Sequence, residues 1–254
     1  MAKEYWAGVE EPDERGDGPS AEKMVALPAL QSMLPIRMKG LRVLDTWCGD
    51  GARAIFLARR GATVAVMHES EALLNRVFQR LSMEGLQAEL LVGGAEALDH
   101  LPEADFDVAI GDAELVRGRD PAYALRSLAR VVRPGGAVIL TLPHPLLSGG
   151  TALTDGHGAR KWILNDYFES KRTEGLDARI LSDLVNPLIA SGLVIESLHE
   201  PRPPIETRKT SLSNFTFYDR VPQYLIVVAR KPGGRAPPSV APNAANGRPP
   251  DRKK

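Results

Sequence analysis

A chain of 254 residues is long enough for one large hydrophobic core or two small ones. Its 43% apolar and 25% charged residues are ordinary for a globular protein, and 32 basic against 32 acidic side chains leave no net charge. That balance excludes the strongly basic surface expected of a protein whose partner is nucleic acid or an anionic membrane.

Cys48 is the sole cysteine, which excludes an intramolecular disulfide and fits a reducing, cytoplasmic setting. No apolar segment near Met1 reads as a signal peptide. The longest apolar run, about Ala137 to Leu142, is far shorter than the roughly 20 residues that span a bilayer.

Residues 1–20 are rich in Gly, Pro, Asp and Glu and read as a flexible arm, with Tyr5 and Trp6 as its only large apolar groups. Glu22 to Leu34 is expected to be a helix divided at Pro28 and stopped by Pro35. Strands and helices then alternate. Arg42 to Trp47 reads as a strand and Gly51 to Arg60 as a helix with Gly61 behind it. Thr63 to His68 is a second strand. Ser70 caps a helix in which Leu73, Leu74, Val77, Phe78 and Leu81 follow helical spacing, and Gly85 ends it. Glu89 to Val92 and Phe106 to Ile110 are the third and fourth strands.

Asp120 and Pro121 open a helix as its cap and first residue, and Arg133 to Gly136 turns the chain into a fifth strand, Ala137 to Leu142. Strands apolar on both faces, each followed by a helix, specify a parallel sheet covered on both sides. Pro143 onward has little periodicity and reads as a lid over about 143–180. A helix around Leu181 to Ser191, kinked or shortened by Pro187, precedes strands at Leu193 to Leu198 and Tyr224 to Ala229. The domain so defined covers 21–231. Residues 232–254 are Pro-, Gly- and Ala-rich with a basic end, and read as a disordered tail.

The organising stretch is Arg42 to Gly51, R-V-L-D-T-W-C-G-D-G. An apolar strand ends on an acid, two glycines follow, and a helix begins. Such a turn lets backbone approach a nucleotide-like ligand closely and aims the free N–H groups of a helix start at it. On these residues the chain resembles the class I S-adenosylmethionine (SAM)-dependent methyltransferases, whose first motif is acid-x-Gly-x-Gly-x-Gly. Phe106 to Ile110 and Leu128 to Gly136 resemble the family's fourth strand and fifth-strand approach, and Pro143-His144-Pro145, Asp166-Tyr167-Phe168, Leu181 to Glu196 and Glu200-Pro-Arg-Pro203 resemble a small-molecule subgroup. The resemblance implies an α/β, Rossmann-like, doubly wound sheet of seven strands. It is mostly parallel with the last strand antiparallel, and has helices on both faces.

The resemblance also implies a role for particular positions. Asp45, Gly49 and Gly51 would shape the SAM loop, with Trp47 standing where the family places its first glycine. An inward Trp47 ring would take ligand volume; an outward one would pack against a helix or the arm. His68 occupies the place of the acid that accepts hydrogen bonds from the ribose hydroxyls, and a neutral imidazole can accept only one. Glu69 could substitute if the strand has ended before it, since side chains alternate along a strand. Gly94 stands where the family carries an Asp near the adenine, beside Ala95 and Glu96. Asp112 either faces the pocket or begins a loop. Losing a charged hydrogen-bond partner costs roughly 1.5–3 kcal/mol, so two such losses would weaken SAM by about two orders of magnitude.

For the acceptor, His144 is a candidate general base or a turn residue fixed between prolines. Asp166 and Tyr167 either line the acceptor site or pack the lid. Cys48 reads as a packing residue, and no Cys/His spacing suggests a metal. The expected activity is SAM-dependent methylation of a small molecule. The alternative is a methyltransferase scaffold with altered SAM use, either a cyclase or isomerase of secondary metabolism or a non-catalytic partner.

Overall fold

The computed structural model describes residues 20–46, 48–116, 121–147, 149–154, 156, 160–165, 167–168 and 180–234. Residues 1–19 of the arm, 235–254 of the tail, Trp47, Asp120, Asp166 and residues 169–179 lie outside the described residues.

The main sheet has seven strands: β1 (Arg42–Asp45), β2 (Thr63–His68), β3 (Glu89–Val92), β4 (Phe106–Asp112), β5 (Val132–Pro143), β8 (Val194–His199) and β9 (Tyr224–Arg230). Their order is β3-β2-β1-β4-β5-β9-β8. The pairs from β3 across to β5 are parallel, whereas β9 runs antiparallel to both of its neighbours, β5 and β8. The doubly wound sheet with an antiparallel last strand is therefore present as expected. The chain reverses its direction of winding between β1 and β4, so the carboxyl ends of those two strands open a crevice suited to a ligand.

Helices cover both faces because the strands are apolar on both. One core layer joins Leu44, Met67, Phe106, Leu140 and Leu142 to Leu125 and Leu128 of the helix Pro121–Val131 (α5). The other joins Val43, Val66, Ile110 and Ile139 to three helices: Leu27–Met33 (α1), Ala52–Arg59 (α2) and Glu71–Met83 (α3). Ser70 caps α3 by accepting a hydrogen bond from the Leu73 N–H at 3.3 Å. Leu74, Val77 and Leu81 are buried as expected, but Phe78, a residue of the same apolar periodicity, faces outward at 56% exposure.

Several expectations are corrected. The first helix is π-helical over Glu22–Ala26 and becomes α-helical at Leu27 without a break, so the chain runs through Pro28 rather than dividing there; the wider π turn just before it relieves the ring's clash with the preceding turn. Arg133 to Gly136 do not separate helix from strand. They lie within β5 as an irregularity, and the pairing with β4 shifts register between Phe106 and Val108. The expected lid loop contains an antiparallel hairpin, β6 (Gly150–Thr154) with β7 (Arg160–Leu164). The helix Leu181–Ala190 (α6) runs through Pro187 rather than stopping there. Finally, Met24, Val25 and Ala26 pack on Phe217 and Tyr218 of Leu212–Tyr218 (α7), and on Tyr224. That third cluster fixes the N-terminal helix over the carboxyl edge of the sheet.

Candidate functional site

The turn after β1 is built by backbone geometry. The Thr46 N–H donates to the Ile110 carbonyl at 2.9 Å, and its hydroxyl donates to the same oxygen at 3.1 Å, tying the exit of β1 to β4. Gly49 and Gly51 take φ values of 51° and 86°, a region that side chains with a Cβ enter at a cost. Gly51 is doubly constrained, because a Cβ there would lie 3.1 Å from Cγ2 of Val77 on α3. Its absence lets α2 start close against α3. Asp50 accepts a hydrogen bond from the Ala52 N–H at 3.0 Å and pairs with Arg80 at 3.2 Å. Burial opposes ionisation of Asp50, but the Ala52 N–H and Arg80 outweigh it and hold the carboxyl below its usual range.

Above this turn is a cavity of about 420 Å³. Its walls include Glu22, Ala26, Leu27 and Leu30 of the N-terminal helix, Cys48 and Gly49 of the turn, Arg53 of α2, Asp112 of β4 and Thr141 of β5. Arg53 is the electrostatic centre. Its Nε and Nη2 donate to Oδ1 of the fully buried Asp45 at 2.9 and 2.5 Å, and Nη2 is 3.7 Å from Oδ2 of Asp112. Burial works against the guanidinium charge, yet Asp45, then Asp112 and Glu22, outweigh it and keep Arg53 protonated above its normal range. Cys48 is buried beside this group, and burial, followed by Asp45, pushes its thiol up to about 12. It packs rather than attacks.

Of the sequence-derived positions, Gly49 and Asp112 line the cavity, and Asp45 lies directly behind it through Arg53. His68, Glu69, Ala95 and Glu96 form a separate edge at the ends of β2 and β3. Strand β2 ends at His68, so Glu69 is released from strand alternation and its Oε1 would be 2.6 Å from a Cβ built on Gly94. Glu96 Oε1 accepts the Gly94 N–H at 2.9 Å; this bond and its own N–H hold the Glu96 carboxyl below its usual range. Ala95 opens the 3₁₀ turn Ala95–His100. His68 Nδ1 accepts the Ser70 N–H at 2.8 Å, so the neutral ring carries its proton on Nε2 and presents a donor. Burial lowers the His68 pKa, against the influence of Glu69 and Asp45, and so favours that neutral form.

The acceptor-side positions are placed elsewhere. His144 is buried, its Nδ1 accepts the Leu146 N–H at 3.2 Å, and its Nε2 is 2.8 Å from Glu200 Oε1. Burial lowers its pKa more than Glu200 raises it. Both ring nitrogens are therefore engaged, and Pro143 rather than His144 faces the cavity. The Tyr167 oxygen accepts the Leu181 N–H at 2.9 Å and its ring stacks edge-on against Phe168, 5.1 Å between centroids. Asp166 and Trp47 lie outside the described residues. Arg53 is the residue that the sequence analysis missed. Its signal was present: a cation in the first turn of the helix that follows the motif acid.

Among the described residues, no group of three or more His, Cys, Asp or Glu could hold a metal, and no helix is long and apolar enough to cross a membrane. Residues 43–136 match the family model described as a methyltransferase domain. The ubiquinone biosynthesis O-methyltransferase of Sinorhizobium medicae is 28% identical over 162 residues, 62% of this chain and 62% of that protein. The match thus spans less than two thirds of that relative. A SAM-dependent methyltransferase structure from Mesorhizobium loti is 28% identical, with a TM-score of 0.69, over 83% of this chain and 98% of its own. The [4+2]-cyclase SpnF, 20% identical with a TM-score of 0.57 over 82% of this chain and 81% of its own, shares the fold. Strand order, the glycine turn and these likenesses together show the class I SAM-dependent methyltransferase-like fold in this chain.

Proposed function

We propose that this protein is a SAM-dependent methyltransferase acting on a small-molecule acceptor. The observation that carries the reading is the convergence of Gly49, Asp112 and the Asp45–Arg53 pair on one cavity at the carboxyl edge of β1 and β4. The residues fit the cofactor's methionine end. Glu22 and Asp112, with Asp45 behind the wall, outnumber Arg53 and Lys23 and favour a cationic sulfonium, and a Cβ on Gly49 would meet nothing within 4 Å, so backbone is open to close approach. At the ribose end Glu69 supplies the carboxylate that His68 lacks, and the His68 Nε2–H supplies a donor.

SAM would supply an electrophilic methyl group. The work left to the protein is to align an acceptor and exclude water, and the apolar side chains Ala26, Leu27, Leu30 and Pro143 suit that task. His144 supports a positioning role better than a base role, because Leu146 and Glu200 occupy both ring nitrogens. Tyr167 and, in the same segment, Asp166 are assigned to the lid rather than to chemistry. A cytoplasmic setting agrees with the single buried thiol.

Calorimetry with SAM and S-adenosylhomocysteine tests the proposal. A Kd in the range of about 1–100 μM is expected; no detectable heat with millimolar ligand removes it. One observation favours a second reading, a scaffold of cyclase or isomerase type with altered SAM use: His68 offers a donor where the ribose calls for an acceptor. Under that reading Glu69→Gln leaves the weak SAM affinity unchanged.

A further inference from the structure

The wall of the cavity formed by β4 and β5 carries two polar side chains side by side. Asp112 and Thr141 are register partners in a parallel pair, so their side chains leave the sheet on the same face, and both line the cavity. Thr141 is 7% exposed, and its Oγ1 has no hydrogen-bond partner among the described residues. A buried hydroxyl without a partner is costly to a fold and uncommon. Because Thr141 stands in the cavity wall, a ligand held there is the group placed to complete that hydroxyl.

The other walls restrict what that ligand can be. Ala26, Leu27, Leu30, Pro143 and Tyr224 present apolar or aromatic surface suited to a flat hydrocarbon body. The charges disfavour an anion. Arg53 is already bound by Asp45, Asp50 is paired with Arg80, and Glu22 and Asp112 add two further carboxylates. Lys23, the other cation of the lining, and Glu22 beside it in the chain are both exposed and offset one another, which leaves Asp112 as the carboxylate of the inner wall.

We infer that the acceptor site takes an uncharged, ring-bearing ligand through its hydroxyl group, which Thr141 binds beside Asp112. This deepens the methyltransferase reading and rests on it. A hydroxyl can donate to the Asp112 carboxylate while accepting from Thr141, a pairing that neither an ether nor a carboxylate reproduces. Thr141 is then a substrate-contacting residue that selects for the hydroxyl.

Three probes built on one ring system separate the possibilities: 2-naphthol, 2-methoxynaphthalene and 2-naphthoate, titrated by fluorescence into the 254-residue protein saturated with S-adenosylhomocysteine. Naphthol should bind about tenfold tighter than the other two. Thr141→Val, which keeps the shape and removes the hydroxyl, should erase that preference, whereas Thr141→Ser should retain most of it. Equal binding of naphthol and its ether, tighter binding of naphthoate, no binding of naphthol, or a preference that survives Thr141→Val each overturns the inference. Failure of S-adenosylhomocysteine to bind instead overturns the functional reading. In that event the same series in cofactor-free protein still reads the Thr141 wall.

Discussion

Arg53 Nη2 lies 2.5 Å from Oδ1 of Asp45, a carboxylate with no solvent exposure, and the arginine side chain is itself only 12% exposed. The strand-one acid is therefore neutralised by the helix that follows it. The same guanidinium, 3.7 Å from Asp112, links the ends of β1 and β4 across the place where the sheet changes its direction of winding.

Arg53→Met should cost about 3–5 kcal/mol, because it leaves the buried Asp45 without its cation. Arg53→Lys keeps the charge but loses the two-pronged geometry, so it should recover only part of that loss. Urea unfolding of the three proteins measures this. A change below 1 kcal/mol for Arg53→Met would show that the pair is solvated in solution.

The two turn glycines should respond differently to alanine. Gly49→Ala meets open space and bears only the left-handed backbone cost, about 1 kcal/mol. Gly51→Ala adds a 3.1 Å approach to Val77 and should cost about 2–3 kcal/mol. Paired denaturation curves check the ranking, which fails if the two variants are equally destabilised.

His68 and His144 both have pKa values lowered, primarily by burial. The sign follows from linkage. The folded state binds protons less readily than the unfolded chain, so this stability is full above the unfolded pKa of about 6.5 and is lost as pH falls toward the folded values. Unfolding free energy should therefore drop between about pH 7 and pH 5. Replacing His144 with Gln should flatten the slope, and an unchanged slope would mean that His144 does not titrate in this way.

Ligand affinity should separate the two glutamates near Gly94. Glu69→Gln should weaken SAM about tenfold if Glu69 accepts from the ribose hydroxyls, whereas Glu96→Gln disturbs mainly the Gly94 N–H contact and should weaken it less. Restoring the family acid by Gly94→Asp should not strengthen binding, because its Cβ would lie 2.6 Å from Glu69 Oε1 and so displace the carboxylate that serves the ribose. His68→Asp is the restoring change with room to act. Calorimetry of the four variants provides the check.

The alternation of apolar runs and helical periodicities was readable because each element is decided within a few residues. Ser70, Gly51 and Gly61 punctuate it in the sequence, and the strands of the main sheet fall where they were expected apart from the early start of β5 at Val132. The β6–β7 hairpin was not readable. Its alternation spans five residues per strand, and much of its outer surface is apolar, with Leu153, Ile163 and Leu164 all at least 40% exposed.

By itself the sequence determined the sheet, the glycine turn and the identity of the acid behind it, since these depend on local spacing and backbone permissiveness. Tertiary structure alone decided which side chains share the site. His144 is held by Glu200, 56 residues away, and Thr141 stands beside Asp112 only because β4 and β5 pair in that register. Such neighbours are set by strand pairing and helix packing over long loops, and no local pattern encodes them.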